Sequence, residues 1–158
     1  MSHKISILVI GLGEKYRHDD AAGLFVANQV KALGYAGVEA IIGATDSASL
    51  MEKWSGRDIV FVIDAVNSSA EAGYIYRFDA VTDDLPGGLA KPDSSHGLGL
   101  LDAVKLSKAL GELPDSLIVY GIEGEDFAMG EGLSPLVKKA ALQVVELIKT
   151  EIEEVINK

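Results

Sequence analysis

Four side chains in this sequence are of types that do chemistry together. Asp19 and Asp20 lie side by side just past a glycine-rich turn, in the segment running from Ile7 through Gly11, Gly13, Glu14, Arg17 and His18 to Gly23. Asp64 closes the apolar run Asp58 to Ile63, and His96 stands at the end of a polar connection over residues 79–97. Carboxylates gathered in this way attract a cation. Two carboxylate oxygens and one imidazole nitrogen, from Asp20, Asp64 and His96, suit an intermediate divalent ion such as nickel, zinc or manganese. Three protein ligands would leave coordination positions open for a substrate. The chain has no cysteine, which excludes thiolate catalysis and disulfides and restricts protein metal ligands to Asp, Glu and His.

Each of these residues also has a plainer reading. A carboxylate at a helix start accepts hydrogen bonds from unpaired amides and favours the positive end of the dipole, so Asp19 or Asp20 could simply cap a helix. Two adjacent acids exceed what a cap needs, although Arg17 could neutralise one of them. Asp64 could accept backbone amides across a crevice, and a lone loop histidine such as His96 could be a cap. His18 reads as solvent-facing or as a partner of a ligand, and His3 as a terminal passenger. The Gly11-Leu12-Gly13 turn lacks the third glycine of a dinucleotide-binding loop, and two aspartates would repel phosphates there. Ser94 or Ser95 beside His96 suggests a nucleophile and base, but no G-x-S-x-G element supports them.

The surrounding pattern supplies a frame for these side chains. Ile5 to Ile10 reads as a buried strand, and Ala21 to Ala32 as a helix after the turn. Val38 to Ile42 is a second strand, and residues 43–47 a polar turn capping a helix through Leu50 and Trp54. Asp58 to Ile63, rich in β-branched residues, predicts a central strand that stops at Asp64 and Ala65. Tyr74 to Phe78 predicts a shorter, half-exposed strand returning antiparallel to it. Leu98 to Leu110 has helical periodicity, Leu117 to Tyr120 reads as another buried strand, and Pro135 opens an amphipathic helix to about Ile156. Strands alternating with helices predict a three-layer α/β/α sandwich whose sheet is mixed. In such a sheet the carboxyl edge carries the site, where the loop acids, Asp64 and His96 are able to meet.

With 158 residues, 48% of them hydrophobic and 6% aromatic, the expectation is a single domain over 1–158 with a core of Val, Ile, Leu and Ala. No internal repeat or low-complexity tract interrupts it. The apolar runs are too short to span a bilayer, and no signal peptide is expected ahead of the first strand. A formal charge of −10 disfavours nucleic acid, whose phosphates are bound mainly through Lys and Arg. The absence of cysteine fits a cytosolic setting.

Taken in order, Gly11-Leu12-Gly13, Arg17-His18-Asp19-Asp20-Ala21-Ala22-Gly23, Ile63-Asp64-Ala65, Ser95-His96-Gly97-Leu98-Gly99-Leu100 and Tyr120-Gly121-Ile122-Glu123 form a set. With Gly132-Leu133-Ser134-Pro135, it resembles the hydrogenase maturation endopeptidases over nearly the whole chain. The resemblance implies a mostly parallel, mixed and twisted five-stranded sheet between helices, of the phosphorylase/hydrolase-like kind. It also implies a nickel-dependent endopeptidase that removes the C-terminal extension from the large-subunit precursor of a [NiFe] hydrogenase once nickel is inserted. Asp20, Asp64 and His96 fall on the metal-contact positions, with the nickel supplied by the precursor and cadmium or zinc as stand-ins in vitro. Members are generally monomeric, soluble and cytoplasmic, so neither a membrane nor nucleic acid is an expected partner.

This chain departs from the family pattern in two places. Glu14 stands where Asn is usual, giving an extra ligand or an altered loop, and Ile42 and Ala44 break a motif of an acidic residue with paired glycines. Both bear on substrate preference more than on fold, and leave room for a specialised or inactive relative. The alternative function is a chaperone-like module that binds the nickel-bearing subunit without cutting it. A nucleotide-binding domain is the third reading.

Overall fold

The computed structural model describes residues 4–43, 46–85 and 96–157, with residues 96–98 described in backbone alone. Five strands form one sheet: β1 (Ile7–Gly11), β2 (Val38–Ile42), β3 (Ile59–Val66), β4 (Ile75–Asp79) and β5 (Ser116–Glu123). A short 3-10 turn, η1 (His18–Ala21), leads into α1 (Ala22–Leu33), and α2 (Ser47–Trp54), α3 (His96–Leu110) and α4 (Pro135–Ile156) complete the elements. The strand order is β2-β1-β3-β5-β4, parallel except for β4, which runs antiparallel to β5.

Alternation of side chains along the strands divides the core into two layers. Ile7, Val9, Phe61, Ile63, Ile118 and Tyr120 face α1 and α4. Their neighbours Leu8, Ile10, Val60, Val62, Leu117 and Val119 face Leu50 and Trp54 of α2 and Leu100, Ala103 and Val104 of α3. The predicted three-layer sandwich is therefore the observed one. Helix starts follow local chemistry: Asp46 accepts from the amide and hydroxyl of Ser49 to cap α2, and Pro135 sits where a missing N–H costs α4 nothing. No described helix is long and apolar enough to cross a membrane.

Three expectations change, and the first is that β5 does not end at Tyr120 but runs on to Glu123. β3 does not stop at Asp64 but runs on to Val66, because β5 continues beside it to Glu123 and pairs Asp64 with Gly121. β4 is antiparallel as expected, but it lies beside β5 rather than β3, since β5 occupies that flank of β3. Most of the polar connection that carries Ser94 and Ser95 lies outside the described residues, as do Ala44 and Thr45.

Candidate active site

Two buried carboxylates come to the carboxyl edge of the sheet by different routes. Asp64 rides on β3 one residue past Ile63, which pairs with Gly11 at the end of β1. It is almost wholly buried, and its Oδ1 accepts the amide of Ala65 at 2.8 Å. Asp20 arrives on η1, which packs against β3. Its Oδ2 accepts the amide of Glu14 at 2.9 Å, closing the turn after β1 around the carboxylate.

That closure depends on glycine. Gly13 has φ +135°, and a Cβ there would lie 1.9 Å from the carbonyl oxygen of Asp20, so the turn can fold onto η1 only without a side chain. Gly23 does the same for α1. A Cβ at that position would lie 2.3 Å from the oxygen of Ile63 and 2.4 Å from that of Leu12. The amide of Leu12 in turn donates to the Ile63 carbonyl at 2.9 Å, so turn, helix start and strand end are locked backbone to backbone.

Asp19 has a separate task. Its carboxylate accepts the amides of Glu125 and Asp126, each at 3.0 Å, and both the amide and the hydroxyl of Ser134, at 2.7 and 2.8 Å. It is fully buried in the loop between β5 and α4 rather than offered at the rim, and neither it nor Asp20 makes a side-chain cap at the N-cap positions of η1 or α1. His18, at φ 44°, joins the same junction: its amide donates to Gly130, and its Nδ1 lies 3.0 Å from the carbonyl oxygen of Gly132. Arg17 donates to the carbonyl of Phe127 at 3.2 Å and lies 4.0 Å from Glu14, whose side chain is turned outward. The residues around the acid pair thus staple residues 14–20 to residues 124–134.

His96 is the first residue of α3, and its side chain lies outside the description. Among the described residues no three His, Asp or Glu side chains are grouped as a metal site. The structure accordingly brings Asp20 and Asp64 to one edge and starts α3 at His96.

Sequence reasoning missed the role of Glu123. This fully buried acid ends β5 and accepts the amide and hydroxyl of Ser68, at 2.8 and 2.6 Å, and the hydroxyl of Tyr76 at 2.9 Å. It pins the connection leaving β3 beside the site. Its signal was available, because Glu123 follows Leu117–Ile122 as Asp64 follows Ile59–Ile63.

Comparison with known proteins places these features in a family. The model of the hydrogenase maturation protease family matches residues 26–151. The chain is 26% identical over 155 residues to the hydrogenase 2 maturation protease of Escherichia coli K12, covering 94% of this chain and 91% of that one. It is 27% identical over 147 residues to the hydrogenase expression/formation protein HupD of Thiocapsa roseopersicina, covering 89% of this chain but 65% of that protein's length. Among solved structures, the hydrogenase maturating endopeptidase HybD of E. coli superposes with a TM-score of 0.83 at 25% identity, covering 96% of this chain and 94% of that one. With its five-stranded mixed sheet and its match to the family model, this chain belongs to the hydrogenase maturation protease family.

Proposed function

We propose that this protein is a nickel-dependent endopeptidase that removes the C-terminal extension of a [NiFe] hydrogenase large-subunit precursor. The observation that carries the reading is the delivery of two buried carboxylates, Asp20 and Asp64, to one sheet edge by η1 and β3. Carboxylate oxygens brought together at one sheet edge are the donor type that an intermediate divalent ion takes. The chain supplies no thiolate, so the nickel arrives held by the precursor's own cysteines and belongs to the substrate. Asp20 and Asp64 would offer oxygen, and His96 nitrogen, to its open side. An ion held there would supply Lewis-acid activation of the scissile carbonyl or of an attacking water, and a carboxylate not ligated to it would accept the water's proton. Free protein then holds half of a coordination shell, and cutting waits for a nickel-loaded precursor. The working form is a cytoplasmic monomer.

The test is incubation of the protein with nickel-loaded precursor, followed by mass measurement of the large subunit. Wild type should shorten it; Asp20→Asn, which keeps an oxygen for the Glu14 amide, should fold normally and leave the tail intact. Cleavage by Asp20→Asn at the wild-type rate would overturn the assignment.

A further inference from the structure

A cavity of about 510 Å³ lies between the start of α1, the end of β2 and the loop before α4. Leu24, Phe25, Ile42 and Leu133 make it predominantly apolar, and Ile42 is half exposed within it. Lys15 and Lys138 stand in its lining. Among the described residues neither ammonium has a carboxylate within 4.0 Å, although Glu131 belongs to the same lining. In a chain with 24 acids and 14 bases, two lysines left without ion pairs around an apolar pocket define a local preference for an anion beside a hydrophobic group.

Two residues of the lining neighbour the site along the chain. Ala21, in its wall, follows Asp20 directly, and Lys15 follows Glu14, whose amide holds the Asp20 carboxylate. An extended peptide advances roughly 3.3 Å per residue, and Ala21 is bonded to Asp20, so a strand lying over Asp20 would reach this wall within a few residues. A volume of 510 Å³ admits a few side chains, not a folded body. Resting on the peptidase reading above, we infer that this pocket binds the precursor's C-terminal extension, taking an aliphatic side chain against Ile42, Phe25 and Leu133 and pairing an adjacent acidic side chain with Lys15 and Lys138.

The experiment compares nickel-loaded precursor with the same subunit lacking its extension, each titrated against wild type and the double variant Lys15→Glu, Lys138→Glu. Both lysines are exposed, and a glutamate in the first turn of α4 suits the helix dipole, so the variant should fold; circular dichroism checks this. For the full precursor, binding by the variant should weaken about fivefold or more, as expected for reversing two exposed ion pairs. For the tail-less subunit, wild type and variant should bind alike. Lysine in place of the tail's acidic residue should restore binding to the variant and weaken it to wild type. Equal affinity of wild type and variant for the full precursor would overturn the inference, and so would an equal loss with the tail-less form. Tail-dependent binding by a wild type that never cuts would leave the pocket standing and sink the peptidase reading. Failure to bind either form would sink both.

Discussion

Asp19 holds Ser134 by two atoms at once, accepting its backbone amide at 2.7 Å and its hydroxyl at 2.8 Å across 115 positions of sequence. The same carboxylate gathers the amides of Glu125 and Asp126, so a single buried acid organises the turn leading into α4. Asp19→Ala would strand these donors in the interior. A loss of about 2–4 kcal/mol is expected, from a cost of roughly 1–3 kcal/mol for each unsatisfied group partly relieved by water. Urea melts would check it, and a variant as stable as wild type would remove the structural role. Asp20→Asn in the same melts should differ little from wild type, which separates the two neighbours.

An ion site leads to a crystallographic expectation. After soaking with a nickel or cadmium salt, anomalous density should fall among Asp20, Asp64 and His96, with the ion about 2.0–2.4 Å from each ligand. Side chains pointing to no common ion would dissolve the proposed ligand set.

The indole of Trp54 on α2 donates to the hydroxyl of Ser107 on α3 at 3.2 Å, and both residues are fully buried. Ser107→Ala should cost about 1–3 kcal/mol, since the indole N–H then has no acceptor. Ser107→Thr, which keeps the hydroxyl but adds a methyl to a packed layer, tests the bond against the packing in a thermal melt.

A different cluster predicts an alkaline limit. Burial, and then the carboxylate of Glu151, push the Tyr120 phenol up to about 12 from an ordinary value of 10.0. The Tyr120 hydroxyl donates to Glu151, which also pairs with Arg77, whose guanidinium is raised in turn by Glu151. The folded state thus keeps its proton when the unfolded chain has already lost it. Stability from this group is complete below pH 10.0 and falls as the pH rises towards 12, by at most about 1.4 kcal/mol per unit. Urea melts across that range should show the fall in wild type and a flatter profile in Tyr120→Phe. Identical profiles would refute the assignment.

Much of this architecture could be read before any coordinates. β2 and the start of α4 lie where apolar pattern and Pro135 placed them, because local chemistry decides both. The ends of β3 and β5 were read short for one shared reason. Asp64 in one strand and Gly121 in the other interrupt the apolar run without interrupting the ladder, in which they pair with each other, and the groups that satisfy Glu123 beyond them, from Ser68 and Tyr76, lie 55 and 47 positions away. β4's neighbour was equally hidden, since strand order is set by distant pairing. Asp19 and Asp20 were indistinguishable by type and spacing. Only the loop 106 to 115 positions downstream makes one a structural latch and leaves the other at the sheet edge.

The seating of Gly23 on the carbonyls of Leu12 and Ile63 has a consequence for how this fold can change. The distance between the first turn of α1 and the end of β3 is gauged by main-chain atoms, which every sequence carries. Exchanges among Val, Ile and Leu in the two layers below shift side-chain volume without passing through that gauge. The rim that carries the acids is therefore insulated from drift in the interior, and is exposed instead to any mutation that places a methyl group on Gly23.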